Sequence, residues 1–168
     1  MTFEKKLGSI IYLVQDYREA YPDPTNYHDQ QKQTQDIIDR GNRLVKDFHS
    51  KALTSLQQES IIKTFIETLN DYLLIVNEGD NYKAQGDYVL NHLSSLLLKK
   101  NHDYGSSYAK VAKVLGVANS FSVRILDKCN RLDQLMTTDN QVKDESINDT
   151  IRDLLGYYLL FLVCLRFN

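Results

Sequence analysis

The chain has 168 residues, 42% of them apolar and 25% charged, with a net charge of −2. That length is enough to bury a core in one domain. Basic and acidic groups are nearly balanced, 10 and 13 over residues 1–84 and 10 and 9 over 85–168, which leaves no cationic excess for non-specific binding to nucleic acid or a membrane surface.

Helical periodicity runs through almost the whole sequence. Residues 3–19 predict a first helix with Leu7, Ile10, Ile11 and Val14 on one face. Both prolines, Pro22 and Pro24, fall in "YPDPTNY", which reads as a loop. Residues 26–50 predict a polar second helix with a thin stripe of Ile37, Ile38, Leu44, Val45 and Phe48. Ser55 and Gln58 have capping-box spacing ahead of a third helix that runs to about Asn77. "NEGDNYKAQGD" reads as a turn-rich connection, and a fourth helix follows over 87–101. The stretch "KNHDYG" then reads as a polar loop, with a short helix over 106–115 stopped at Gly116. The last two helices are placed at 119–137 and 145–167. No repeat, low-complexity tract or alternating strand pattern is present, so the expected fold is an all-α, single-domain bundle of about six or seven helices.

Cys129 and Cys164 sit among apolar helical neighbours and read as buried thiols of a reducing compartment. The N-terminal "MTFEKKLGSIIYLV" has a short apolar run with no small-residue cleavage site after it, so no signal peptide is read there. Residues 154–165, "LLGYYLLFLVCL", form the most apolar run, but a bilayer needs roughly 20 such residues. A buried helix and a cytoplasmic protein without membrane contact are expected.

Three polar groupings interrupt this pattern. Lys99, Lys100, Asn101, His102, Asp103 and Tyr104 precede Gly105, which tolerates a positive φ; the plain reading is a helix end whose lysines complement the dipole. In "VRILDKCNRL", Arg124, Asp127, Lys128 and Arg131 fall at i, i+3, i+4 and i+7 and share one helix face. That face is either solvated ion pairs or an anion clamp, since Arg offers paired contacts to phosphate and Lys a compact charge. In "KDESINDTIRDLLGYYLL", Glu145, Asp149, Arg152, Asp153 and Gly156 share a face. Asp153 directly precedes the apolar run, where a carboxylate needs a partner or a metal. Carboxylates one helical turn apart suit Mg²⁺, which takes oxygen ligands and keeps waters. Convergence of the three groupings at the centre of a bundle is the expected way to build a site.

In this order the motifs resemble the nucleotide-modification-associated domain family of phages and bacteria. Its K-x-x-DYG element falls on Lys100, Asp103, Tyr104 and Gly105, and its D-K-x-x-R helix on Asp127, Lys128 and Arg131. Its D-E-S-x-x-D-T-x-x-D-L-x-x-Y helix falls on Asp144, Glu145, Ser146, Asp149, Thr150, Asp153, Leu154 and Tyr157. The resemblance spans about residues 95–165 and leaves 1–85 unassigned. It extends more distantly to the all-α MazG-like nucleoside triphosphate pyrophosphohydrolases, which cleave between α- and β-phosphates with Mg²⁺. Those enzymes carry E-x-x-E and E-x-x-D pairs, whereas here Asp127 has no acid three residues away and Asp149 and Asp153 are four apart.

The resulting expectation is a Mg²⁺-dependent nucleotide-binding or nucleotide-phosphohydrolase protein of phage type. Glu145, Asp149 and Asp153 would hold Mg²⁺, and Asp103, Asp127 and Asp149 would serve catalysis. Lys100, Tyr104, Arg124, Lys128 and Arg131 would contact the substrate, the cations neutralising phosphate and Tyr104 stacking on a base. His102 or Asp103 would orient water. The alternative is a non-catalytic interaction module whose polar face is a structural ion-pair network. A homodimer is the expected assembly, and direct DNA binding is disfavoured because no basic stripe is present.

Overall fold

The computed structural model describes residues 1–24, 29–50, 55–76, 81–138 and 146–167. Its elements are seven helices, α1 (Phe3–Glu19), α2 (Gln30–Ser50), α3 (Ser55–Val76), α4 (Tyr82–Tyr104), α5 (Ser107–Leu115), α6 (Val117–Thr137) and α7 (Ile147–Phe167), with no strand among the described residues. The chain is an all-α bundle, as the periodicity predicts.

The apolar run of α7 sits at the centre. Thr150, Ile151, Leu154 to Gly156 and Tyr158 to Cys164 are all buried, and the helix packs against α1, α3, α4, α5 and α6. A helix apolar nearly all round belongs in the interior, and no described helix is long and apolar enough to cross a membrane. Phe161 anchors three helices: it stacks on Phe121 of α6 at 4.8 Å and meets Phe48 of α2 edge-on at 4.9 Å, the two arrangements that ring quadrupoles favour. Both cysteines are free and buried.

Two glycines make close approaches possible. A Cβ on Gly41 would stand 2.5 Å from Cys129 Sγ and 3.3 Å from the Tyr158 hydroxyl. The backbone of α2 therefore lies directly against side chains of α6 and α7. A Cβ on Gly86 would overlap the Arg18 guanidinium, which donates to Asp87 Oδ1 at 2.9 Å and to the Tyr82 carbonyl at 2.8 Å. Gly86 is thus a buried position within α4 and not part of a turn. The helix starts earlier than the predicted 87, capped by Asn81, whose side chain accepts from the Ala84 N–H at 3.1 Å.

The other end of α4 also corrects the sequence reading. Lys99 to Tyr104 remain helical, and the break comes only at Gly105, with φ of 61°. Helix α4 thus runs three residues past its predicted end at 101, and "KNHDY" is the helix end of the plain reading and not a polar loop. Gly116, with φ of 80°, ends α5 and begins α6 in one residue, the role that its freedom from a Cβ allows. The side chain of Ser55, and with it the expected capping box, lies outside the described residues.

Candidate phosphate-binding site

The last helix starts with a reciprocal cap. The Asp149 N–H donates to Ser146 Oγ at 3.1 Å, while Ser146 donates to Asp149 Oδ2 through its hydroxyl at 2.6 Å and its N–H at 3.4 Å. This is a capping box with Asp in the third helical position. Asp149 Oδ1 also takes the Arg152 guanidinium. The Ser146 hydroxyl first, and Arg152 after it, hold the Asp149 carboxyl below its ordinary pKa.

One turn later Asp153 bridges three helices. Lys128 of α6 reaches its Oδ2 and Lys100 of α4 its Oδ1, each at 3.4 Å. The carboxylate at the entrance to the apolar run therefore has the partners that its position demands. One further turn on, the Arg124 guanidinium lies over the Tyr157 ring, 5.3 Å from its centroid. Lys128 facing Asp153 and Arg124 facing Tyr157 fix α6 and α7 as antiparallel. On α4, Lys100 reaches the same Asp153, and the helix runs in the direction of α7.

Two clefts lie along this three-helix seam. The first, about 290 Å³, is lined by His92 and Leu96 of α4, Lys128 and Arg131 of α6, and Asp149, Thr150, Arg152 and Asp153 of α7. The second, about 170 Å³, takes in Lys100, Asn101, Tyr104, Arg124 and Tyr157. Lys128 and Asp153 line the first and Lys100 the second, so the ion-pair bridge links residues of both. A larger cleft, about 490 Å³, is bordered by Asp16, Arg18, Glu19, Asp23, Lys83 and Asp87; it has more acids than bases and does not suit phosphate.

Lys128, Arg131, Asp149 and Asp153 are brought together in the first cleft, and Lys100, Tyr104 and Arg124 in the second. Arg124, expected on phosphate, lies over the Tyr157 ring, one turn from Lys128. Asp103 lies on the surface, 3.0 Å from His102, and borders neither cleft of the seam. Asp127 points outward, its side chain 71% exposed, with Lys128 at 3.9 Å. Glu145 lies outside the described residues. Arg152 and His92 join the first cleft and Tyr157 the second, none of them named by the sequence as a site residue. Arg152 is visible on the Asp149 face, and Tyr157 stands in the family motif. His92 leaves no signal except its position eight residues before Lys100 on one helix.

The expected Mg²⁺ set fares differently. Among the described residues no group of three or more His, Cys, Asp or Glu side chains is placed to hold a metal ion. Asp149 and Asp153 are each engaged by cations. Glu145, the third residue of the expected set, lies outside the described residues, so the three carboxylates are not described together.

An α-helical bundle with a cation-rich seam is the class that the fold and the site define. Residues 100–165, 66 of the 168, match the family model described as nucleotide modification associated domain 1. That segment is similar to such a domain, and it contains every lysine, arginine and aspartate of the seam; His92 and Leu96 precede it. No curated protein and no solved structure matches the chain.

Proposed function

We propose that the chain binds a nucleotide, with its phosphate in the first cleft. The observation that carries this is charge. Lys100, Lys128, Arg131 and Arg152 gather along the seam from three helices, with Asp149 and Asp153 beside them and Asp127 3.9 Å from Lys128, so that cations outnumber carboxylates among the described residues there in a chain of net −2. Arg131 and Arg152 supply planar donors matched to phosphate oxygens, and Lys128 supplies a compact charge. The first cleft and its cations fall almost entirely in the segment with the nucleotide-modification description.

The reading commits to binding. Hydrolysis of the MazG kind would need carboxylates available to a metal, and Asp149 and Asp153 are held by Arg152, Lys100 and Lys128. Mg²⁺ enters the proposal only as an ion carried on the ligand's own phosphates. Thermal unfolding against nucleoside mono- and triphosphates, with Mg²⁺ and with EDTA, tests the reading. Ligands that bind the native state raise the midpoint. A rise in both conditions supports the proposal, a rise confined to Mg²⁺ supports a metal site, and no rise removes the nucleotide reading.

The second reading, a structural module, is favoured by the ion-pair network itself, since one carboxylate joins three helices. Its energetics argue against it. Lys100 and Asp153 are 49% and 40% exposed, and pairs of that kind contribute about 0–1 kcal/mol. The apolar contacts of α7 hold the helices together without it.

A further inference from the structure

The second cleft brings together Lys100, Tyr104 and Arg124, of which the sequence expectation placed the two cations on phosphate and Tyr104 on a base. The seam has a polarity. Arg131, Arg152 and His92 lie at one end, Lys128, Asp153 and Lys100 in the middle, and Arg124, Tyr157 and Tyr104 at the other. From Asp149 to Tyr157 is eight residues of α7, and from Arg131 to Arg124 seven of α6, so the seam is roughly 10–12 Å long at 1.5 Å per residue. Asp153 to Tyr157 is one step of about 6 Å on the same scale. These are the dimensions of an elongated ligand with an anionic head and a flat tail.

The chemistry of the far end is that of a ring-binding site. Tyr157 is half-buried, with the Arg124 guanidinium 5.3 Å from its ring centroid. Tyr104, 73% exposed, borders the same cleft from the end of α4. Aromatic rings and guanidinium planes are the surfaces on which bases stack, and the attraction tolerates any base because every base has a π-face. Both tyrosines and Arg124 are displaced from the cation cluster by one to two helical turns, so they add little to phosphate binding.

We infer that the second cleft is the base subsite, in which Tyr104, Tyr157 and Arg124 hold the ring of a nucleoside phosphate whose phosphate occupies the first cleft. This rests on the phosphate reading above and adds an orientation and a ligand class to it. The protein should discriminate nucleotides from base-free phosphates, and the discrimination should depend on residues that do not touch the phosphate.

Calorimetric titration of the full chain with pyrophosphate, ribose 5-phosphate and a set of nucleoside monophosphates tests this, in wild type, Tyr104→Ala and Arg124→Gln. Nucleotides are expected to bind about tenfold or more tightly than ribose 5-phosphate. Tyr104→Ala and Arg124→Gln should remove most of that advantage while pyrophosphate affinity stays within about twofold. If Arg124→Gln alters the fold, as circular dichroism would report, the exposed Tyr104 carries the test. Base-free phosphates that bind as tightly as nucleotides would overturn the base subsite and leave the phosphate cleft standing. A nucleotide advantage that survives both substitutions would overturn it as well. Failure of every ligand to bind would remove both readings.

Discussion

Lys128 Nζ stands 3.4 Å from Asp153 Oδ2, while the other oxygen of that carboxylate takes Lys100 at the same distance. One acidic side chain thus draws together cations of two separate helices, Lys128 bordering the first cleft and Lys100 the second. This arrangement holds the lysines in position, and it accounts for a carboxylate at the mouth of the most apolar segment without a metal.

Because the bridge is partly exposed, it should contribute little to stability. Asp153→Ala is expected to lower unfolding free energy by about 1 kcal/mol or less, with helical content unchanged, as chemical denaturation followed by circular dichroism would show. A loss of several kcal/mol, or failure to fold, would instead support the structural-module reading.

Gly41 should be sensitive in the opposite direction to its helix propensity. Alanine is favoured over glycine by about 1 kcal/mol within a helix, yet here its methyl would lie 2.5 Å from Cys129 Sγ. Overpacking of this kind costs about 1–3 kcal/mol, so Gly41→Ala should be net destabilising. Adding Cys129→Ala removes the obstructing sulfur and should recover part of the loss. An additive double mutant, measured by urea denaturation, would show that the contact does not limit packing.

The start of α7 should respond to acid. Asp149 has a carboxyl pKa held below its unfolded value, chiefly by the Ser146 hydroxyl. Its contribution is therefore complete above the unfolded carboxylate pKa and is lost as pH falls through the lower, folded one. Ser146→Ala should raise the Asp149 pKa more than Arg152→Ala does, and should flatten the fall in Tm on acidification. NMR titration of the Asp149 carboxyl reads the first effect and thermal scans the second.

The thiols should be inert in the native state. Burial pushes the Cys129 thiol up to about 12, and Cys164 is equally enclosed. Since the thiolate is the reactive form, labelling by a disulfide reagent at neutral pH should proceed at the rate of unfolding and accelerate with denaturant. Fast labelling of either cysteine without denaturant would contradict the burial described.

Much of the fold is legible in the sequence, for reasons that also explain what is not. The spacing of Leu7, Ile10, Ile11 and Val14, and the unbroken run from Leu154 to Leu165, report burial directly, because apolar periodicity is what folding reads. The Lys128, Arg131, Asp149 and Asp153 cluster is visible as same-face spacing on two helices. Gly86 misleads because glycine marks both turns and close approaches, and only the Arg18 guanidinium tells which. His102 to Tyr104 resemble a loop because their polarity is that of a surface, which a helix end also has. Arg124 shares a face with Lys128 and Arg131, but a helix face is long, and only the partner helix shows that one end meets Tyr157 and the other Arg152. The partners of Asp153, Lys100 and Lys128, lie on other helices and leave no mark in the local spacing, whereas Arg152, the partner of Asp149, stands on the same helix.

The most direct test of the central claim is the affinity for pyrophosphate, measured by calorimetry in EDTA, in wild type, Arg131→Ala and Asp153→Asn. A cation-lined phosphate cleft predicts about tenfold weaker binding on loss of the arginine. It also predicts unchanged or tighter binding when the Asp153 charge is removed from between its two lysines. Binding that needs Mg²⁺ and vanishes in Asp153→Asn would contradict the account and return Asp153 to the role of a metal ligand.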